Sequence, residues 1–250
     1  MSAHESRTGK VALVTGGSRG VGAATGRYLA ERGYDVVVNY RNKAKRAETV
    51  VAEIEERGRR GWIAQADLTD AAQTEAMFAQ IGREPGSLDL LVLNASGGLE
   101  KGMAADYAMQ VNLTAQTRAL DLALPLMRSG GRVVFVTSHL AHFHGQKPVY
   151  PAYEPVAASK RAGETALRER IPDLAERGIS LVVVSGDLIE GSITPRLMER
   201  QSPGLIEARR EEAGDLPTVE EFAEAIADAA ADATLETGET IFVGSTEWEL

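Results

Sequence analysis

Tyr153 and Lys160 are the side chains of this sequence best suited to moving a proton. A phenol can donate a proton, and a nearby ammonium group lowers the pKa of that phenol by its charge. Seven residues make nearly two helical turns, so the two side chains would share one helix face, about 10 Å apart along the axis. Pro155 suits the first turn of such a helix and favours extended backbone at Glu154. Tyr153 can therefore also fold back from the loop before the helix.

A glycine-rich run at residues 15–22 has the composition of a phosphate-binding loop. It follows an apolar strand pattern and precedes a helical one. Glycines there allow unusual dihedrals and close backbone approach, and the N–H groups of a helix N-terminus attract a pyrophosphate. The predicted contacts are Gly16, Ser18, Arg19, Gly20, Val21 and Gly22.

The same run also has a hydrolase-like spacing, Gly16-x-Ser18-x-Gly20. A nucleophile elbow of that kind normally follows a central strand and has acid and histidine partners downstream. Here it follows the first strand, and the later histidines are crowded into residues 139–144. These observations favour nucleotide binding over hydrolysis.

The end of the second predicted strand indicates which dinucleotide binds. A site for NAD usually has Asp or Glu there, but this strand ends with Asn39 and Tyr40, followed by Arg41. Arg41, Lys43 and Arg19 can face a 2′-phosphate, which the planar guanidinium binds well. The sequence therefore favours NADP(H) over NAD(H), and Asn39 and Tyr40 are further predicted contacts. The alternative is that Arg41 and Lys43 only solvate the start of a helix.

Strand and helix patterns alternate along the chain, and the strands are apolar and largely β-branched. Such strands are buried on both faces, which predicts an α/β fold: a Rossmann-like, doubly wound parallel sheet with helices on both faces, in a single domain over residues 1–250. The predicted strands are 11–14, 35–39, 62–66, 88–93, 132–137, 180–184 and 240–243, and the predicted helices are 20–32, 43–58, 106–128, 155–177 and 218–230.

Two segments lie outside this alternation. Residues 1–9 are predicted to form a flexible tail. The polar segment 192–214 fits either a mobile helical lid over a substrate or an ordinary connecting helix.

The composition limits the compartment and the class of partner. The 250 residues include no cysteine, which excludes disulfides and thiolate chemistry and fits a reducing cytoplasm. The net charge of −9 argues against nucleic-acid binding. No apolar run approaches the roughly 20 residues of a membrane span, and the N-terminus lacks the pattern of a secretory signal. We expect a cytoplasmic protein with neither nucleic-acid nor membrane partners.

The order and spacing of these patterns resemble the short-chain dehydrogenase/reductase family. Residues 15–22 match its Thr-Gly-x-x-x-Gly-x-Gly signature, and Lys160 matches the lysine of its Tyr-x-x-x-Lys helix. The resemblance implies that hydride passes from a nicotinamide to a carbonyl carbon. It also implies that Ser138 holds the substrate oxygen, Asn112 supports a proton-relay water, and Lys160 binds the nicotinamide ribose.

The same resemblance implies further cofactor contacts at the ends of three strands. They are Asp67 and Leu68 after the third strand, Asn94, Ala95 and Ser96 after the fourth, and Gly186 and Leu188 after the sixth. The match is imperfect, because Leu93 and Ser96 replace the first Asn and the Gly of one family motif, and Ser185 replaces the Pro of another. For Asn94 a purely structural role, tying neighbouring strands together, is the alternative.

Val156 occupies the position of the family's usual tyrosine, and this departure leaves the proton donor open. Tyr153 is one candidate. A water chain through the other three catalytic positions is a second. The third is one of the histidines in residues 139–144, which would suit the pH range, or a chain without chemistry. The Tyr-x6-Lys spacing also resembles the divergent enoyl-reductase branch of the family, although that branch has a different glycine loop.

The substrate end of the predicted cleft is aromatic and open. The segment from Asn94 to Asn112 is shorter than family members commonly carry. The predicted substrate contacts are His139, His142, Tyr150, Tyr153 and Ser192. The constellation resembles the atypical ketoreductases that tailor aromatic polyketides such as angucyclines, which implies a bulky, flat ketone as the substrate.

The sequence thus predicts an NADPH-dependent ketoreductase that acts on a small-molecule ketone. An enoyl reductase and a non-catalytic NADP-binding sensor are the alternatives, the latter suggested by Val156 and the imperfect motifs. The family resemblance implies a homodimer or homotetramer. No metal site is predicted, because the His-x-x-His-x-His run has no nearby carboxylate or thiol partner.

Overall fold

The computed structural model describes residues 9–100 and 102–248, so the predicted tail lies outside the described residues except for Gly9. All the strands are parallel and form one sheet in the order β3-β2-β1-β4-β5-β6-β7. They are β1 (Lys10–Val14), β2 (Tyr34–Tyr40), β3 (Gly61–Gln65), β4 (Leu88–Leu93), β5 (Met127–Ser138), β6 (Ser180–Gly186) and β7 (Thr240–Val243). The strand order reverses between β1 and β4, where sheets of this kind bind ligands at their carboxyl ends.

Helices connect the strands. They are α1 (Gly20–Glu31), α2 (Ala44–Glu55), α3 (Ala71–Arg83), α4 (Tyr107–Met109), α5 (Ala115–Ala123), α6 (His139–His142), α7 (Glu154–Arg168), α8 (Ile171–Glu176), α9 (Ile193–Gln201), α10 (Leu205–Ala213) and α11 (Val219–Ala231). A π-helical turn (Gln110–Thr114) joins α4 to α5, and a 3-10 turn (Pro151–Tyr153) precedes α7. Within the described ranges, no helix combines the length and the apolar character needed to cross a membrane.

The core consists of two apolar layers, one on each face of the sheet. Leu13 and Val14 illustrate the arrangement, since both are fully buried and they belong to different layers. Successive strand residues point to opposite faces, so continuously apolar strands require helices on both sides. The predicted doubly wound α/β fold in a single domain is confirmed.

Helix α3 lies outside the helices predicted from the sequence. The Asp70 side chain caps this helix by accepting a hydrogen bond from the Gln73 N–H at 3.1 Å. Met77, Phe78 and Ile81 form its buried stripe. An Asp cap followed by apolar residues at helical spacing is an ordinary helix signal, so this element was predictable.

Two predicted helices are too long. The helix predicted over 106–128 ends at Ala123, because Pro125 cannot continue it and β5 begins at Met127. The helix predicted over 155–177 breaks into α7 and α8, with Pro172 in the first turn of α8.

The polar segment 192–214 forms α9 and α10. Met198 and Leu205 from these helices are buried in an apolar cluster that also contains Tyr153 and Trp248. Such burial favours the connecting-helix interpretation of this segment over a mobile lid.

The helix α7 lies unusually close to the π-helical turn at Gly163. An added Cβ at Gly163 would lie 2.1 Å from the Asn112 carbonyl oxygen. Lys160 lies one turn earlier on α7, so this contact sets the distance between the predicted site residues Lys160 and Asn112.

Gly163→Ala should destabilise the protein by about 1–3 kcal/mol, because overpacking forces the backbone apart. Gly26→Ala is the matched control, since Gly26 also lies in a helix but its added Cβ would make ordinary contacts at 3.7–3.8 Å. The control should be stabilised by about 0.5–1 kcal/mol through helix propensity. Urea unfolding measures both changes, and a neutral Gly163→Ala would contradict the close packing.

Candidate active site

The carboxyl ends of the strands open onto a continuous cleft of about 490 Å³. It brings together most of the predicted site residues. These are Gly16, Ser18, Arg19, Gly20, Val21, Gly22, Asn39, Tyr40, Arg41, Asp67, Leu68, Asn94, Ala95, Ser96, Ser138, His139, Tyr150, Tyr153, Lys160, Gly186, Leu188 and Ser192. Asn112 and His142 do not line it: Asn112 is buried against α7, and His142 pairs with Glu164.

The glycine loop leaves the N-terminus of α1 open to the cleft. Arg19, the N-cap residue, makes no side-chain capping hydrogen bond. Gly20 has a φ of +52°, and an added Cβ there would meet nothing within 4 Å. An added Cβ at Gly22 would lie 2.5 Å from the Gly16 carbonyl oxygen, so α1 packs tightly on the loop. Uncapped N–H groups at an open helix N-terminus suit a pyrophosphate.

Thr15 and Asn94 join the ends of β1 and β4. The Thr15 hydroxyl accepts hydrogen bonds from the N–H groups of Asn94 and Ala95 at 2.9 and 3.0 Å. The Asn94 side-chain amide donates to the Thr15 carbonyl oxygen at 2.9 Å. The side chain of Asn94 therefore ties the two strands together, which is the structural alternative among its predicted roles.

Arg41 lies in the cleft with two partners that the sequence analysis did not assign to it. Its guanidinium donates to the Tyr107 hydroxyl at 2.9 Å and lies 3.8 Å from the Asp67 carboxylate. Burial disfavours the charge, but the Tyr107 hydrogen bond and the nearby acids keep the pKa of Arg41 above its ordinary value. Arg19 and Lys43 line the same cleft, so all three cations that were predicted to face a 2′-phosphate lie there.

Ser138 and Tyr153 meet at the end of β5, where their hydroxyl oxygens lie 3.1 Å apart. The Ser138 Oγ also accepts a hydrogen bond from the Ala141 N–H at 3.3 Å. Tyr153 ends the 3-10 turn, where its N–H donates to the Tyr150 carbonyl oxygen at 2.8 Å, so its side chain comes from the turn before α7. Burial raises the pKa of the Tyr153 phenol and the Ser138 contact offsets this only in part. The phenol therefore remains protonated at neutral pH.

Lys160 is buried on α7 and points toward the same strand. Its Nζ donates to the Val136 carbonyl oxygen at 3.2 Å. Burial lowers the pKa of Lys160 to about 8, and the buried carboxylate of Glu164 opposes this shift. Such a poorly solvated ammonium gains from any further acceptor, such as the hydroxyls of a ribose.

Asn112 holds the loop after β4 against α7. Its side-chain amide donates to the Gly97 carbonyl oxygen at 2.9 Å and to the Ser159 hydroxyl at 3.0 Å. Its side-chain oxygen accepts from the Gly97 N–H at 3.4 Å. The side chain is thus bonded within the protein, directly beside Lys160.

The clustered histidines are engaged away from the Ser138–Tyr153 pair. His139 is 1% exposed and its Nδ1 lies 2.8 Å from the Ser185 hydroxyl. Burial lowers the pKa of His139 to about 4, so its ring is neutral at pH 7. His142 lies 3.0 Å from the Glu164 carboxylate, and His144 pairs with a glutamate at the start of α7. These contacts remove support from a histidine proton donor and from a substrate contact at His142.

Val156, at the family's usual tyrosine position, is a packing residue. It is 3% exposed and belongs to the apolar cluster of Tyr153, Met198 and Leu205. An added Cβ at Gly98 would lie 3.0 Å from it. The phenol beside Ser138 is therefore that of Tyr153.

The structure adds cleft residues that the sequence analysis did not predict. Tyr107 contacts Arg41, and Asp187, Arg209 and Trp248 line the cleft with Tyr150. These residues come from separate elements, so no spacing pattern in the sequence connects them.

Comparisons with known proteins agree on the family to which this chain is similar. The sequence pattern of the family described as short chain dehydrogenase matches residues 10–202. The chain is 34% identical to the 1-cyclohexenylcarbonyl-CoA reductase of Streptomyces collinus over 198 residues. This aligned region covers 76% of this chain and 69% of that reductase. The structure of the promiscuous reductase LugOII, which catalyses keto-reduction at C1 during lugdunomycin biosynthesis, is 28% identical with a TM-score of 0.81, covering 96% of this chain and 98% of LugOII. The angucycline C-6 ketoreductase LanV, with bound NADP, is 29% identical with a TM-score of 0.80, covering 95% of each chain.

The buried Lys160 should make the stability of the protein depend on pH. Its pKa is about 8 in the folded protein, against an ordinary value of 10.5. The unfolded chain binds more protons between these values, so the free energy of unfolding should rise with pH across that window, by about 3 kcal/mol. Lys160→Met should remove this rise, and the same substitution at the exposed Lys45 is the control. Denaturant titrations between pH 7 and 11 measure it; parallel curves for the wild type and Lys160→Met would contradict the burial argument.

Proposed function

Since this chain belongs to the short-chain dehydrogenase family, we propose that it is an NADPH-dependent ketoreductase of a bulky cyclic or aromatic ketone. The observation that carries the proposal is the 3.1 Å contact between the hydroxyls of Ser138 and Tyr153. This pair lies in the cleft that begins at the glycine loop and includes Lys160. A serine and a phenol together can hold and protonate a carbonyl oxygen.

The cleft fits a phosphorylated dinucleotide. The uncapped first turn of α1 and the open space at Gly20 suit the pyrophosphate. Arg41, with Arg19 and Lys43, would hold a 2′-phosphate, and Lys160 would hold the nicotinamide ribose. The LanV structure, which contains NADP, supports the choice of cofactor.

The proposed chemistry follows from the side chains around Ser138. Bound NADPH would supply a hydride to the carbonyl carbon. The oxygen then becomes negative and needs donors already in place. The Ser138 Oγ, oriented by the Ala141 N–H, would hold this oxygen, and the Tyr153 phenol would give it a proton. The phenolate that remains would regain its proton from solvent before the next turnover.

Burial raises the pKa of Tyr153, so the phenol is protonated at neutral pH. It therefore carries the proton that reduction of a ketone consumes.

A water chain as the proton donor and a non-catalytic role for the protein are both less well supported. A water chain would pass through Asn112, whose side chain already bonds to Gly97 and Ser159. A non-catalytic sensor would use Lys160 to bind the cofactor, but it would not need a phenol beside Ser138 in the same cleft.

The substrate class is inferred from the relatives and from the shape of the cleft. LugOII is described as a reductase in lugdunomycin biosynthesis, and LanV is described as an angucycline C-6 ketoreductase. In this chain the aromatic side chains of Tyr150 and Trp248 line the cleft, together with Leu99 and Leu197. Such apolar walls suit a flat ring system.

An enoyl reductase is the second candidate, favoured by the Tyr-x6-Lys spacing and by the relative named 1-cyclohexenylcarbonyl-CoA reductase. LugOII and LanV, which are described as catalysing keto-reduction and as a ketoreductase, favour the ketoreductase, and the Ser138–Tyr153 pair supplies the two hydroxyls that this reaction needs. Product analysis separates the two reactions, since one yields an alcohol and the other a saturated ketone or thioester.

We also propose an oligomeric state and a cellular location for the enzyme. Family membership supports a homodimer or homotetramer, with α5 and α7 as the helices to be buried between subunits. A cytoplasmic location is proposed on the same ground and from the lack of cysteine.

Tyr153→Phe should lower kcat for cyclic ketones by about 100- to 10,000-fold, the range for loss of a general acid. The Kd of NADPH should change little, because the phenol is reserved for the substrate. NADPH oxidation with a panel of quinonoid and cyclic ketones measures kcat, and Tyr28→Phe on α1 is the matched control. Undiminished turnover in Tyr153→Phe would assign the proton to water.

Arg41→Ala should weaken NADPH binding by about 10- to 100-fold, since a charge-assisted hydrogen bond contributes about 1.5–3 kcal/mol. The affinity for NADH should hardly change, because NADH lacks the 2′-phosphate. Titration calorimetry with both dinucleotides measures this selectivity, with Arg57→Ala at the end of α2 as the control. Equal losses for NADPH and NADH would reject the phosphate contact.

A further inference from the structure

Arg209, on α10, is a buried cation whose N–H groups are all bonded. Its side chain is 3% exposed. It donates to the two carboxylate oxygens of Asp187 at 3.0 and 2.7 Å. It also donates to the Glu212 carboxylate at 2.6 Å and to the carbonyl oxygens of Glu247 and Ser245 at 2.7 and 3.0 Å. A guanidinium has five N–H donors, so Arg209 keeps none for a substrate.

These partners lie on three separate segments that border the cleft. Arg209 and Glu212 belong to α10, which follows α9 in the segment 192–214. Asp187 directly follows β6. Ser245 and Glu247 lie after β7, near the end of the described chain. One side chain therefore forms hydrogen bonds to all three segments.

Asp187, which binds Arg209, also forms hydrogen bonds with the backbone at the edge of the cleft. Its carboxylate accepts a hydrogen bond from the Leu188 N–H at 2.7 Å, and its own N–H donates to the Val243 carbonyl oxygen at 3.0 Å. Gly186 and Leu188 line the cleft with Ser138 and Lys160. The carboxylate that binds Arg209 thus also sets the backbone of this wall.

Trp248 is held by the same arrangement. Its ring lies 6.0 Å from the Arg209 guanidinium, and its Nε1 donates to the Pro148 carbonyl oxygen at 2.9 Å. Trp248 is 8% exposed and lines the cleft near Tyr150. Its position depends on the segment 245–247, in which Arg209 binds the carbonyl oxygens of Ser245 and Glu247 and Lys147 binds that of Thr246.

We infer that Arg209 is a positioning residue for both ends of the reaction: through Asp187 it fixes the wall at Gly186–Leu188 for the nicotinamide, and through residues 245–247 it docks Trp248 as the substrate wall. The inference rests on the proposed function for the identity of the two ligands. It makes α10 a fixed support of the cleft.

A surface ion pair would not have this effect. Arg210, the next residue on α10, pairs with Glu190 and Glu207, but its side chain is 40% exposed. Exposed pairs contribute little, because both partners are well solvated when apart. Arg210 is therefore the matched control for Arg209, with the same residue type on the same helix.

The test uses the full-length protein with Trp62→Phe, which leaves Trp248 as its one tryptophan. Arg209→Met is combined with Asp187→Asn in this background, so that no unpaired charge is left buried. Without cofactor, Trp248 emission should shift to longer wavelength and become more accessible to acrylamide. The Kd of NADPH should rise about tenfold. Arg210→Met should change neither quantity.

Unchanged Trp248 emission and an unchanged NADPH Kd in the folded double variant would overturn the inference; circular dichroism establishes the folding. The emission measurement needs neither cofactor nor ketone. A parent protein that binds no NADPH would therefore refute the proposed function, while the emission would still decide whether Arg209 docks Trp248.

Hydrogen exchange of the unmodified protein tests the coupling without any substitution. NADPH should slow amide exchange at residues 186–189 and also in α10 and at 245–248, because the Arg209 hydrogen bonds connect these segments. Slower exchange at 15–22 and 186–189, with α10 and 245–248 unaffected, would overturn the inference.

Discussion

The hydrogen bond between the Ser138 and Tyr153 hydroxyls determines how this site can work. It forms because β5 ends at Ser138 and because the 3-10 turn directs the Tyr153 side chain inward just before α7 begins. Val156, where related proteins have the tyrosine, is instead part of the apolar cluster under α9 and α10. In this chain the phenol beside the serine comes from Tyr153, three residues before Val156.

Other contacts keep this pair aligned with the cofactor cleft. The close approach at Gly163 and the Asn112 amide hold α7, and with it Lys160, against the turn after α4. Burial of Lys160 costs stability at neutral pH, since its pKa is lowered to about 8. A buried cation of this kind is retained at functional sites, where a ligand supplies the missing acceptors. The packing that holds α7 therefore positions Lys160 in the same cleft as the Ser138–Tyr153 pair.

The sequence predicted what depends on local patterns. Apolar strands and the glycine run at 15–22 identified the sheet and the nucleotide loop, and Lys160 was visible because it ends a helical motif. The missed helix α3 had an Asp70 cap and a regular apolar stripe, so its signal was present. The Arg209–Asp187 and Arg41–Tyr107 pairs were not predictable, because their partners lie 22 and 66 residues apart with no shared pattern. Only the folded chain shows that His142 faces Glu164.

A crystal structure with NADP and an unreactive cyclic ketone analogue would show which groups bind the ketone oxygen. We expect this oxygen within hydrogen-bond distance of both the Ser138 Oγ and the Tyr153 hydroxyl, with Lys160 on the nicotinamide ribose. A ketone oxygen bound to an ordered water beside Asn112 and Lys160, with Tyr153 turned away, would contradict this expectation.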